Sequence, residues 1–170
     1  MNSFFKSIGL YKKLNIELNI DIHELRQRLL KITYKTNKTF ISFEKDAAIP
    51  SRFEYRGMVE DNSFTIKRRS RIFDMNRSNP VFHGTISDKS GKSLVAVEFF
   101  PSGLQIFNWV AILCFCSVIA FASLQDNKDN IIVAIVASAV AVSQYFILKR
   151  GISRGRYEFE RELIYIAQKP

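Results

Sequence analysis

Two uninterrupted apolar runs, residues 104–124 and 131–148, constrain this chain more than any other feature. Neither contains a Lys, Arg, Asp or Glu, and only the polar break Gln125-Asp126-Asn127-Lys128-Asp129-Asn130 separates them. As α-helices they would measure about 31 Å and about 27 Å at a rise of roughly 1.5 Å per residue. A bilayer's hydrocarbon core is about 30 Å thick and asks for roughly 17–25 such residues. A charge buried at that depth is costly, and neither run carries one. The pattern predicts a transmembrane helical hairpin over residues 102–150.

Charge decides its orientation. The net charge of +9 is unevenly spread: 18 Lys+Arg against 11 Asp+Glu precede Pro101, and 6 against 3 follow Leu148. The loop between the runs holds Lys128 beside Asp126 and Asp129. The outer flanks carry Lys89, Lys92, Lys149, Arg150, Arg154, Arg156 and Arg161. Lys and Arg close to membrane ends stay on the cytoplasmic side. The expectation is a two-pass protein of a bacterial inner (plasma) membrane with both termini cytoplasmic. Trp109 and Tyr145 sit toward the cytoplasmic ends of the runs, as interfacial aromatics do. Gln105, Asn108 and Gln144 lie at the same level, which argues against a polar pore. Met1-Asn2-Ser3-Phe4-Phe5-Lys6 has no sustained apolar stretch or small-residue cleavage site, so no signal peptide is expected and the first apolar run would direct insertion.

Helices pair in lipid through close approach. Cys116 and Ala120 on the first run, with Ala134, Ser138 and Ala141 on the second, are the candidate contact residues; Ala137 lies one turn before Ala141. Cys114 and Cys116 are two apart on a helix and face different ways, so neither a disulfide nor a metal site is expected between them.

The remainder reads as a cytoplasmic α+β domain over residues 1–101. Leu14, Ile16, Leu18 and Ile20 alternate with Asn15, Glu17, Asn19 and Asp21, the period of a half-buried strand. Asp21 can cap a helix, with Glu24 three residues on. Ile22, Leu25, Leu29 and Ile32 then repeat at helical spacing, predicting a helix to about Tyr34. Thr39-Phe40-Ile41-Ser42-Phe43 suits a short strand. A hairpin follows, with Tyr55, Gly57 and Val59 alternating before the turn Glu60-Asp61-Asn62-Ser63, then Phe64 and Ile66. Residues 81–87 and 92–100 form a second pair around Asp88-Lys89-Ser90-Gly91. The expected architecture is strand, helix and antiparallel sheet, open or closed into a barrel, followed by the hairpin. In the tail, 151–170, Gly151 and Gly155 are expected to end or bend the membrane helix, and Phe159, Leu163 and Ile166 suggest a short C-terminal helix lying against the domain.

The run from Phe53-Glu54-Tyr55-Arg56-Gly57-Met58-Val59 to Phe64-Thr65-Ile66, followed by Asn76-Arg77-Ser78-Asn79-Pro80-Val81-Phe82-His83-Gly84-Thr85-Ile86, resembles small uncharacterised bacterial membrane proteins. In these an aromatic-x-Gly-x-Val strand, an aromatic-x-Ile strand, an Asn/Pro-rich loop and an x-Gly-x-Ile strand precede a membrane hairpin. The resemblance implies a β-rich cytoplasmic domain on a two-helix anchor and no activity. Gly57 and Gly84 fall at equivalent strand positions, suggesting close backbone approach or a bulge.

Catalytic signatures are missing. His23 and His83 lie beside no Cys or paired carboxylates, and the glycines form neither a phosphate-binding loop nor a dinucleotide fingerprint. No catalytic residue, metal or cofactor is expected. The constellation with physical content is basic: Lys67, Arg68, Arg69, Arg71 and Arg77, together with the juxtamembrane Lys149, Arg150, Arg154 and Arg156. Topology accounts for the second group. The first fits a solvated strand end, anionic lipid headgroups at about 1 kcal/mol per cation, or a phosphorylated ligand. No interleaved aromatic signature points to nucleic acid. The leading expectation is a membrane-anchored, non-enzymatic interaction module presenting a basic domain to a protein partner or an anionic lipid surface. A ligand sensor that forms homo-oligomers through its membrane helices, or an immunity protein against a membrane-acting toxin, are the alternatives.

Overall fold

The computed structural model describes residues 2–36, 49–69, 79–89, 91–126 and 131–168. The strand expected at Thr39-Phe40-Ile41-Ser42-Phe43, the loop bases Arg71 and Arg77, and the inter-helix residues 127–130 lie outside this set. In chain order the elements are α1 (Asn2–Ser7), β1 (Lys12–Leu18), α2 (Ile22–Ile32), β2 (Thr33–Lys35), β3 (Tyr55–Val59), β4 (Ser63–Arg68), β5 (Val81–Lys89), β6 (Lys92–Phe100), α3 (Gly103–Asp126) and α4 (Ile131–Gln168).

The strands make one six-stranded sheet in the order β1-β6-β5-β4-β3-β2. Among the described residues the edges β1 and β2 do not pair, and the sheet is open. All neighbours are antiparallel except β2, which runs parallel to β3. The chain starts at one edge, crosses by way of α2 to the other, and returns strand by strand until β6 closes against β1.

Local chemistry sets the element boundaries. Asp21 accepts the His23 backbone N–H at 2.8 Å and caps α2. The helix stops at Ile32, short of Tyr34, because Thr33 turns extended and opens β2 beside Tyr55. Ser102 and Gln105 form a capping box for α3: the Ser102 N–H donates to Gln105 Oε1 at 2.8 Å, and the Gln105 N–H donates to Ser102 Oγ at 3.4 Å. In the β5–β6 turn the Gly91 N–H donates to Asp88 Oδ1 at 3.2 Å.

The close approach expected at two strand glycines is present. Gly57, opposite Ile66, has φ +147°, and a Cβ there would sit 2.1 Å from the Thr65 carbonyl oxygen. Gly84 lies under the Phe64 ring, whose Cζ would be 2.1 Å from an added Cβ.

One face of the sheet is covered. Leu14, Leu18, Tyr55, Phe64, Ile66, Phe82, Ile86, Val95, Val97 and Phe99 pack with Leu25 and Leu29 of α2 and with Ile152, Phe159 and Leu163 of α4. Phe159 is the centre of this layer, with ring centroids at 4.8 Å from Phe82, 5.6 Å from Tyr55, 5.9 Å from Phe64 and 6.2 Å from Phe99.

The expectation of a membrane helix ended by Gly151 and Gly155, with a separate short helix after them, is corrected. α4 is one helix of 38 residues, about 57 Å long. Its buried residues Ala134, Ala137, Ala141, Leu148, Ile152, Gly155, Phe159, Leu163 and Ile166 hold one helical phase from end to end. The glycines serve contact rather than termination: Gly151 and Gly155 are both buried on this stripe, and Gly155 lies against Pro80 and Phe82.

α3 and the first half of α4 are long and apolar enough to cross a membrane. Only 6% of the most apolar stretch of α3 and 17% of that of α4 is buried by the rest of the described residues. Their mutual seam is narrow, with Cys116, Ala137 and Ala141 buried and Ile112, Leu113 and Ile119 beside them.

Candidate functional site

The central basic cluster is partly consumed by the fold. Arg68, at the end of β4, forms an ion pair with Glu158 of α4 and lies 3.9 Å from Glu54. Burial opposes its charge, but the Glu158, Tyr55 and Glu54 oxygens more than offset this and hold its pKa above the ordinary arginine value. Beside it the Tyr55 hydroxyl donates to Glu162 at 2.6 Å. Burial, reinforced by the Glu162 charge, pushes the Tyr55 pKa far above the usual tyrosine range. The Arg69 guanidinium donates to the Ile49 carbonyl, and its backbone N–H donates to the Glu54 carbonyl at 2.9 Å. Lys67 pairs with Arg56 across the β3–β4 ladder.

The cavity next to Arg68 measures 490 Å³ and is lined by Glu54, Arg68, Glu158, Arg161, Glu162 and Tyr165. Carboxylates outnumber guanidiniums there, which does not suit a phosphate. Arg68 and its neighbours therefore brace the sheet against α4.

A second basic region lies where β6 delivers the chain to α3. Pairing in the sheet puts Lys12 opposite Phe99, at that end. The Lys6 ammonium lies 4.8 Å from the centre of the Tyr11 ring. The Tyr11 hydroxyl donates to Glu98 at 2.8 Å, and burial together with that carboxylate pushes its pKa up to about 12. Lys149 lies 5.6 Å from the centre of the Tyr145 ring, and the Tyr145 hydroxyl donates to the Ile8 carbonyl at 2.8 Å. Trp109 packs on Tyr145 at 6.3 Å between ring centroids. Of the remaining juxtamembrane bases, Arg150 and Arg154 are exposed, Arg156 is half-buried, and Arg154 faces Glu158 at 3.9 Å.

Lys89 and Lys92, close to α3 in sequence, are far from it in space. They flank the β5–β6 turn at the opposite end of β6 and pair with Glu17 at 3.6 Å and 3.3 Å. A hydrogen bond from Lys92 and the two lysine charges hold the Glu17 carboxyl below its usual range. Proximity along the chain counted these lysines as membrane-proximal, whereas Lys6 and Lys12, over ninety residues from α3 by number, stand at its base. Strand pairing is the only signal that relates the two sets.

At the helix pair, Cys116, Ala134 and Ala141 are buried and Ala120 is half-buried. Ser138 is exposed and returns its hydroxyl to the Ala134 carbonyl at 2.8 Å; Ala137 holds the seam in its place. Cys114 is exposed and Cys116 buried, on different faces of α3. Among the described residues no group of three or more His, Cys, Asp or Glu could hold a metal ion. His83 Nδ1 lies 2.8 Å from Thr65 Oγ1 on the open face of the sheet, and the His23 side chain is exposed at the start of α2.

No family model, curated protein or solved structure matches the chain. The resemblance to small bacterial membrane proteins therefore stands on its motifs alone.

Proposed function

We propose that the chain is a two-pass bacterial inner-membrane protein whose helix pair anchors a non-enzymatic interaction domain at the cytoplasmic face. The observation carrying this reading is the course of α4. Its first half is apolar and mostly exposed, touching the domain only through its last turn at Tyr145 and Leu148, while its second half packs into the domain core. The described residues before α3 and those of α4 from Lys149 to Gln168 thereby share one end of the hairpin, in keeping with two termini on one side. The part of the second sheet face that is exposed among the described residues would be offered to a protein partner. Lys13, Glu98, His83 and Thr65 follow one another across β1, β6, β5 and β4 in a single polar row on that face.

Alkaline extraction of membranes from cells making the full chain tests the anchor. The protein is expected to remain in the pellet, and a reporter fused at Pro170 should be active in the cytoplasm. Release into the supernatant, or an external reporter, refutes the reading.

The same helix favours a second reading, a ligand sensor that assembles through its membrane helices. Because α4 is unbroken, a movement of Phe159 in the core moves Ala134–Ala141 in the seam. Cross-linking that reports oligomers in the membrane would support it; a monomer under all conditions would not.

A further inference from the structure

We infer that the junction between α1, α3 and α4 is a binding site for the phosphate of an anionic phospholipid headgroup. This rests on the membrane-anchored reading and locates its lipid contact at a place other than the Lys67–Arg77 loop. The site is a depression of 450 Å³ lined by Ser7, Ile8, Gly9, Trp109, Tyr145 and Lys149.

Three observations converge on it. First, Lys149 faces no carboxylate among the described residues and lies over the Tyr145 ring; the two lysines at the far turn and Arg68, by contrast, are neutralised within the fold. An ammonium on a long apolar stem at the end of a membrane helix reaches naturally to the headgroup layer. Second, Trp109 lines the depression and its indole N–H meets no acceptor among the described residues, so the indole is a donor in want of a partner at this level. Third, the depression sits at the depth of headgroups. Trp109 and Tyr145 mark the level where the apolar helices meet the domain, and the turn after α1 closes the wall through the Tyr145–Ile8 hydrogen bond. Exposed Phe4 on α1 and the nearby Lys6 extend the same surface along the interface. Basic pockets beside membrane helices on the cytoplasmic side are suited to lipid phosphates.

Gly9 shapes the opening. Its φ of +70° turns the chain from α1 to β1, and a Cβ there would lie 3.5 Å from Tyr145 Oη and 3.7 Å from Lys149 Nζ. The turn thus lies against the ammonium, yet adds no side chain above it.

The chain has a single Trp, so its fluorescence reports on this site alone. Full-length protein would be placed in nanodiscs of phosphatidylcholine with increasing phosphatidylglycerol, with Lys149→Gln and Arg150→Gln compared. Wild type is expected to shift its emission saturably with the anionic lipid and to retain it in native mass spectrometry. Lys149→Gln should weaken retention about fivefold, and Arg150→Gln, which removes an equal charge beside the depression, should keep the response. Equal losses in both variants would show a general surface potential and overturn the site, as would an emission indifferent to lipid composition. Inorganic phosphate added to phosphatidylcholine discs separates the sources: an equal shift there would replace the lipid by a free phosphate and overturn the assignment. A chain that never enters the discs refutes the anchor itself, whereas one that enters with a flat lipid response refutes only this site.

Discussion

Gly155→Ala puts the reading of α4 at risk. In a helix interior the change favours folding by about 1 kcal/mol through propensity alone. Here the new Cβ would lie 2.6 Å from Pro80 Cγ and 3.0 Å from Pro80 Cδ. Carbon atoms prefer a separation of about 3.5–4.0 Å, so α4 or the Pro80 segment must move by about 1 Å. Forcing a methyl into a packed contact costs about 1–3 kcal/mol. The net expectation is a loss of about 1 kcal/mol, read as a fall in Tm of about 2–4 °C for a chain of this size. Thermal unfolding in detergent, followed by far-ultraviolet circular dichroism, measures it. The decisive arm is the double variant. Pro80→Ala removes the two ring carbons that the new methyl meets, so in that background Gly155→Ala should be neutral or stabilising, with a coupling of about 1–2 kcal/mol between the sites. If Gly155→Ala has one effect in both backgrounds, the helix does not run against Pro80 and the single-helix account of α4 is refuted.

Two further outcomes follow from the polar contacts. Arg68→Ala should lower stability by about 1 kcal/mol, because Glu158 and Glu54 lose their partner at a site only partly shielded from water, and should leave binding of the full chain to anionic vesicles unchanged; the reverse pattern, intact stability with lost binding, would restore Arg68 as a ligand contact. Tyr11, raised from 10.0 to about 12, favours its protonated form in the fold. Its contribution is complete below pH of about 10 and is lost as pH rises through about 12. Stability followed across that window should decline, and Tyr11→Phe should flatten the decline; an unchanged profile would mean that the Glu98 contact is not formed.

The legible part of the fold was the part written in local periods. Alternation at Leu14, Ile16 and Leu18, helical spacing at Leu25 and Leu29, and the charge-free run from Leu104 each report on their own segment, because burial on one face repeats at the period of the backbone. Asp21 as a cap and Gly57 and Gly84 as close-approach positions were readable for the same reason. The stripe of α4 was also present in principle, since Leu148, Ile152, Gly155 and Phe159 continue the phase of Ala134, Ala137 and Ala141. Glycine's preference for helix ends outweighed it, because residue type alone does not tell a terminating glycine from one pressed against Pro80. The capping box of Ser102 and Gln105 had a readable S-x-x-Q signature.

What the sequence by itself determined is an uncharged helical hairpin following an α+β domain, together with the faces of most strands and helices. Tertiary structure alone decided the order of the strands, with first against last, and which charges are free. Pairing of β1 with β6 brings Lys12 to the base of α3 and sends Lys89 and Lys92 to the far end. Packing of α4 on the sheet engages Arg68 with Glu158. Both are contacts between residues far apart in the chain, where no local period carries information; only the requirement to bury one shared apolar face brings them together.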